Sequence, residues 1–333
     1  MTRGHDMSNN NQKPMNSGDK SNSTTDSCVN IRINSLEFNL FFDGTWNSKE
    51  NSDWYNIEAP KQHEEHSSKR NYARYNPSRF LGAVDSLSFA RAPTGVDRMH
   101  RAMKNDEPHC YGLYVDGAGI TTRTRTPNHN NLQDPWKYHA DNPYGAGVGL
   151  GNTGVYAKLK MMLKQIKIKL DTYICQQDKP SILIFNVYGF SRGAATARIF
   201  CNWIFSQSKQ DFVKQHLDIT GYLVQFNFIG LFDTVSSIGT DHTDDVQEEN
   251  LWLAFGKRTV GKVVHITAEH EYRQKFNLVN IKSMTQQGVG LEFSLPGCHT
   301  DIGDGLSTLG EDNKNGKNGM SVVVMMALMA KDS

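Results

Sequence analysis

The sequence predicts an α/β fold: a mostly parallel central sheet with helices on both faces, interrupted by two long loop insertions. Three observations lead there. From Ile31 onward, short apolar runs alternate with longer helical patterns, the order expected when helical crossovers connect parallel strands. The run Ile182 to Tyr188 (ILIFNVY) is almost wholly apolar, as a central strand covered on both faces must be. The residues AVILMFWYC make up 38% of the 333-residue chain, with 28 glycines besides. That ordinary globular share permits a core of normal size in one or two domains.

The elements follow in order. Residues 1–29 are rich in Asn, Ser and Thr and nearly devoid of apolar residues, which predicts a disordered tail. The catalytic body is then expected over 30–333, as one decorated domain. Its first strand lies within Ile31–Phe42, where Leu36, Phe38 and Leu40 alternate. A polar insertion spans about 51–80. Thr94 is a plausible N-cap for a helix reaching Lys104, and Cys110–Val115 reads as the second strand. A second irregular insertion spans about 121–150. Thr153 is then expected to cap a long amphipathic helix to about Ile174, with Val155, Leu159, Met162, Ile166 and Leu170 on one face. After the strand at 182–188 come a small-residue helix (Ala194–Phe205), a strand near Tyr222–Leu231, a helix near Ala268–Lys275 and a strand near Leu291–Leu295. A buried helix around Met320–Ala330 closes the chain.

Several function classes are excluded early. Lys and Arg number 36 against 35 Asp and Glu, so net charge does not point to nucleic acid. Five cysteines stand singly with no CxxC pair, which argues against a disulfide framework and a structural zinc. No metal or cofactor is expected. His63-Glu64-Glu65-His66 has the wrong spacing for a zinc helix, and Asp241–Asp245 lacks the periodicity of a calcium loop. Gly149-Leu150-Gly151-Asn152-Thr153-Gly154 follows no apolar strand, so it does not read as a dinucleotide loop. No apolar stretch reaches the ~20 residues of a membrane span, and the N-terminus lacks the apolar region of a secretory signal.

The sharpest motif is Gly189-Phe190-Ser191-Arg192-Gly193, a G-x-S-x-G between an expected strand and an expected helix. A serine on such a turn is held in a strained conformation above the sheet, and the residues two before and two after it must be small. The following helix N-terminus offers backbone N–H groups, Arg192 among them, to a developing oxyanion. An α/β-hydrolase-like fold places the acid and base later, in the order Ser, Asp, His. Asp233 follows the apolar run Phe226–Phe232 and is the leading acid; an Asx turn is the competing reading. His299, after the strand holding Phe293 and Leu295, is the best placed of the late histidines, ahead of His265 and His270. From the residues alone it is as often structural as catalytic. Gly44, in Phe41-Phe42-Asp43-Gly44-Thr45-Trp46-Asn47, is expected to supply the second oxyanion N–H, against a plain Asp-Gly turn.

Five motifs in order then resemble one family: the α/β-hydrolases of domain of unknown function 2235, which include the type VI secretion lipase effectors of the first class. They are Phe41–Asn47, Gly189–Ala194, Gly230–Val235, Ala268–Arg273 with Phe276, and Leu295–Gly303. The resemblance implies a Ser191–Asp233–His299 triad and phospholipase A-type ester hydrolysis. It also implies delivery without a signal peptide, from the producing cytoplasm to the periplasm of target bacteria. The expected partners are a phospholipid, a secretion spike protein and a cognate immunity protein. Asp304 stands where the family usually has a glycine, and the chain stops at Ser333, short of the extra membrane-docking segments of characterised effectors. A carboxylesterase acting on smaller soluble esters, and a silent binding module of a secretion complex, are therefore the alternatives. Aromatic residues in the insertions (Trp54, Tyr55, Tyr72, Tyr75, Trp136, Tyr138, Tyr144) lie among Lys69, Arg70, Arg74, Arg123 and Arg125. That pattern suits either a membrane-surface contact or anchoring of the loops to the domain.

Overall fold

The computed structural model describes residues 34–53, 88, 93–103, 107–121, 124–125, 136–137, 141–239, 253, 259–274, 276–303 and 326–331. These include six parallel strands in one sheet, in the order β2-β1-β5-β6-β7-β8. The strands are β1 (Ser35–Phe42), β2 (Cys110–Val115), β5 (Ile182–Phe190), β6 (Leu223–Phe232), β7 (Val260–Ala268) and β8 (Gly290–Leu295). This is an α/β-hydrolase-like arrangement, as the alternation of apolar runs and helical patterns requires.

Period-two alternation sorts the side chains between two cores. Leu36, Phe38, Leu40 and Phe42 of β1 pack on one face with Leu183, Phe185 and Val187 of β5. The long helix α4 (Val155–Gln176) and α5 (Arg192–Phe205) cover that face. The buried positions of α4 fall at helical spacing: Val155, Leu159, Met162, Leu163, Ile166, Leu170 and Tyr173. Phe41, Tyr188, Phe190, Phe228 and Phe232 face the other way. There they meet α2 (Gly95–Ala102), α8 (His299–Gly303) and the helical residues 326–331.

A one-residue bulge sets the register of β6. Phe185 pairs with Phe226, but Asn186 pairs with Phe228. The extra residue, Asn227, puts Phe226 in one core and Phe228 in the other, although simple alternation would keep them together. Gly261 on β7 makes room, since a Cβ there would lie 2.5 Å from the Asn227 carbonyl oxygen.

The elements depart from the sequence reading in four places. Thr94 does cap α2, accepting from the Asp97 N–H, and the helix ends at Ala102 rather than Lys104. Thr153 is not the cap of α4: it closes a 3-10 turn, Gly151–Thr153, and Gly154 takes the N-cap position. Only a glycine fits there, because a Cβ would meet the Gly149 carbonyl at 2.2 Å. The helix expected at 268–275 is replaced, over the described residues, by the end of β7 and a turn; the unbroken burial of Val263 to Thr267 is that of a strand covered on both faces. The second insertion is not wholly irregular. It holds a two-stranded ribbon, β3 (Thr124–Arg125) with β4 (Trp136–Lys137), and α3 (Pro143–Val148). Asn142 starts α3 by accepting from the Tyr144 and Gly145 N–H groups. Short α1 (Lys49–Asp53), α6 (Gln210–His216) and α7 (Lys282–Gln286) complete the described helices.

The 1–29 tail, residues 54–80 of the first insertion, the 63–66 histidines and the 241–245 acidic run lie outside the described residues, as does Asp304. No described helix is long and apolar enough to cross a membrane. Among the insertion aromatics, Tyr144 is described and is 61% exposed.

Candidate active site

The strand order reverses direction between β1 and β5: β1 leads outward to β2, and β5 leads the other way through β6, β7 and β8. In open parallel sheets the crevice at such a point, beyond the strands' carboxyl ends, receives the ligand. The G-x-S-x-G turn lies there. Ser191, between β5 and α5, has φ 57° and ψ −126°, a backbone conformation costing on the order of 1–3 kcal/mol. Its surroundings enforce the conformation. The Ser191 N–H donates to the Phe232 carbonyl at 3.0 Å, and its own carbonyl accepts from the Ala195 N–H at 3.2 Å. The two glycines are obligatory. A Cβ on Gly189 would meet Ala194 Cα at 2.6 Å, and one on Gly193 would meet the Phe42 and Asp43 carbonyls at 2.3 Å.

The three residues expected to form the triad come together. His299 Nε2 is 2.8 Å from Ser191 Oγ, and His299 Nδ1 is 2.6 Å from Asp233 Oδ2. All three are buried: Asp233 3%, His299 4% and Ser191 6% exposed. A carboxylate at Nδ1 fixes the tautomer, leaving Nε2 to accept the serine proton. Asp233 Oδ1 accepts from the Ala268 N–H at 2.9 Å, and the Asp233 N–H donates to Ile266 at 2.8 Å. With φ 41°, Asp233 is a second strained residue in the same constellation.

The imidazole of His299 is wedged between aromatic rings, Phe190 at 4.7 Å and Phe276 at 4.9 Å. Gly303 leaves room for Phe190, whose ring a Cβ there would strike at 2.0 Å. Sequence reasoning singled out the Ala268–Arg273 motif without giving its side chains a role. Glu271 Oε2 accepts from the His299 N–H at 3.2 Å and from Arg273 at 2.7 Å. The Arg273 hydrogen bonds pull the Glu271 carboxyl down to about 2. The Arg273 guanidinium also lies 3.6 Å from the Phe276 ring centroid.

The competing histidines have other duties. His265 is fully buried; its Nε2 accepts from the Thr234 N–H at 3.1 Å and its Nδ1 faces Glu292 at 2.8 Å. That bonding requires a neutral ring, and burial lowers its pKa accordingly. His270 Nδ1 accepts from the Gly297 N–H at 3.1 Å.

The expected role of Gly44 needs correction. Its N–H donates to Asp43 Oδ1 at 2.7 Å, so it is already engaged. Gly44 matters instead as a space-maker, since a Cβ would lie 2.6 Å from Phe190. The next residue, Thr45, reaches the cavity beside Ser191, and its N–H has no partner among the described residues. The Arg192 N–H, at the start of α5, is likewise without a partner there. The cavity has a volume of about 450 Å³ and is walled largely by apolar groups, with Phe190, Val235 and Phe276 among them. No cluster of three or more potential metal ligands occurs among the described residues. The constellation is therefore equipped for nucleophilic attack on a carbonyl by its own side chains.

Residues 205–329 match the family model "T6SS, Phospholipase effector Tle1-like, catalytic domain"; the match includes Asp233 and His299 and begins after Ser191. The fold matches the crystal structure of an uncharacterized protein from Pseudomonas aeruginosa, with TM-score 0.51 and 19% identity, covering 89% of this chain and 45% of that one. A second match is the Tle1 effector bound to the VgrG spike of the type 6 secretion system, with TM-score 0.47 and 25% identity, covering 84% of this chain and 53% of that one. The chain thus spans about half the length of these solved structures. No curated protein matches it. By the family match of its residues 205–329, the chain resembles the Tle1-like phospholipase effectors of type VI secretion.

Proposed function

We propose that this chain is a serine ester hydrolase, a phospholipase A-type lipase that acts as an antibacterial type VI secretion effector. The observation that carries the reading is the hydrogen-bonded chain Ser191–His299–Asp233, buried beside an apolar cavity. His299 Nε2 takes the Ser191 proton as Oγ attacks the ester carbonyl. Asp233 holds the ring and stabilises the imidazolium that forms. The Arg192 and Thr45 N–H groups receive the oxyanion, Thr45 in place of the engaged Gly44 amide. The protonated His299 then gives its proton to the leaving alcohol. Water, activated by the same histidine, releases the fatty acid from the acyl-enzyme. The apolar walls suit an acyl chain, and the family match supports a phospholipid as its source. A secretion spike and a cognate immunity protein are the proposed partners, and the periplasm of a target bacterium the proposed site of action.

The test is labelling by a fluorophosphonate probe. One probe is expected per chain, on Ser191, and none on Ser191→Ala. Turnover of a short-chain ester by Ser191→Ala should fall by roughly 10⁶-fold. A variant that keeps more than a few per cent of the activity overturns the assignment. A panel of phospholipids against uncharged soluble esters then separates a phospholipase from a carboxylesterase.

A further inference from the structure

The cavity beside Ser191 holds more hydrogen-bond donors than ester hydrolysis uses. Arg192 begins α5 next to the nucleophile and lines the cavity. Its guanidinium makes one long hydrogen bond, 3.3 Å to the Gly147 carbonyl, and pairs with no carboxylate among the described residues. Burial pushes the group down to about 10, so it stays charged at neutral pH. Arg273, also on the wall, is different: Glu271 neutralises it through contacts of 2.7 and 2.8 Å.

The loop after β1 supplies a second, independent observation. Thr45 Oγ1, Trp46 Nε1 and Asn47 Oδ1 belong to cavity-lining residues, are themselves buried and have no hydrogen-bond partner among the described residues. Leaving such groups unpaired is costly. Trp46 also has φ 56°, a strained conformation held by its N–H donating to Ala118 at 3.1 Å. Strain and orphaned polar atoms gather where a ligand completes the structure.

The chemistry of these groups narrows the ligand. A guanidinium and an indole N–H can only donate, and a hydroxyl can do so. With Asn47 Oδ1 the one acceptor beside them, their complement is a group that mainly accepts, and the uncompensated positive charge makes it an anion. A planar fork of N–H donors fits the oxygens of a phosphate or a carboxylate.

We propose that Arg192, with Thr45 Oγ1 and Trp46 Nε1, forms a subsite for an anionic oxyacid group that the substrate carries beside its scissile ester. The proposal rests on reading Ser191 as the nucleophile, and it assigns the substrate as an acyl ester with a negative charge near the cleaved bond. Arg192 is thus a specificity residue through its side chain, separately from its backbone amide.

The experiment compares three soluble substrates with the same short acyl chains: a diacylglycerol phosphate, an ester with a carboxylate in its place, and the uncharged diacylglycerol. The wild-type chain should prefer an anionic ester, and the better of the two anionic substrates identifies phosphate or carboxylate. Arg192→Gln should lower the anionic-to-uncharged ratio of kcat/KM by about tenfold or more, mainly through KM, since a charged hydrogen bond is worth about that factor. Arg192→Lys should recover part of it, and Trp46→Phe, which removes the indole N–H, should lower the ratio in the same direction. An unchanged ratio in Arg192→Gln overturns the subsite. Calorimetry on Ser191→Ala decides the question without catalysis. The diacylglycerol phosphate should bind, and adding Arg192→Gln should weaken binding about tenfold. Equal binding with and without Arg192 overturns the proposal. Binding that depends on Arg192, in a chain that hydrolyses none of the esters, upholds the subsite and refutes the hydrolase.

Discussion

Asp43 closes β1 with its carboxylate held by three donors: the Gly44 N–H at 2.7 Å, the Thr94 hydroxyl at 2.8 Å and the Tyr114 hydroxyl at 2.5 Å. No basic side chain pairs with it among the described residues. Burial dominates and raises its pKa to about 7, against the partial relief of those hydrogen bonds. The folded chain therefore holds a proton that the unfolded chain releases near pH 4. Stability from this group is full below about pH 4 and is lost as pH rises to about 7, at most about 4 kcal/mol. Asp43→Asn keeps the shape and removes the titration. Urea midpoints measured between pH 5 and 8 should show the wild type losing stability relative to this variant as pH rises. Parallel curves would show that Asp43 is ionised throughout. Because Asp43 also holds the Gly44 amide, the same residue explains why the proposed oxyanion role falls to Thr45.

At the scale of elements, three strand ends carry the proposed triad and a fourth supports it. Behind Asp233, β7 and β8 are joined by the His265–Glu292 pair, and Glu292 Oε2 also accepts from the Ile281 N–H at 2.8 Å. Since His265 in turn accepts from the Thr234 N–H, this pair fixes the backbone just after Asp233. Glu292→Ala leaves two buried N–H groups without an acceptor. It should cost about 1–3 kcal/mol in stability and lower kcat with little change in KM. Glu292→Gln, which retains an acceptor oxygen, should recover most of both. Equal defects in Ala and Gln would mean that the charge, not the acceptor, matters. Burial depresses the pKa of His265, so its contribution is full above its unfolded value of about 6.5 and fades as pH falls through its lower folded value.

For the whole molecule, the central expectation concerns the division between body and tail. Residues 1–29 contain too few apolar groups to offset the entropy of ordering them, roughly 1–2 kcal/mol per residue for the backbone alone. Deleting them should leave both the unfolding midpoint and turnover of a soluble short-chain ester unchanged. A large fall in turnover would show that the segment contributes to the site.

Sequence by itself determined most of the strand and helix order, the proposed nucleophile and the strained turn around it. These are local properties: apolar periodicity marks each strand, and a serine between two obligatory glycines marks the elbow. Asp233 and His299 were legible as candidates at the ends of apolar runs, and the family resemblance then joined them with Ser191 into a triad. Their pairing is non-local, joining positions 66 and 108 residues apart, and no local pattern encodes such a distance. Tertiary structure alone decided the rest. The bulge at Asn227 shifts one register by one residue, which a run of alternating phenylalanines conceals. Strand pairing with β6 and β8 carries β7 to Ala268, and the described residues 269–274, where a helix was expected, leave it as a turn. The Gly44 amide was lost to a carboxylate next to it in sequence, and the unpaired state of Arg192 and Trp46 emerges only once the cavity has formed. Local chemistry is written along the chain, whereas the satisfaction of each polar group depends on what folding brings near it.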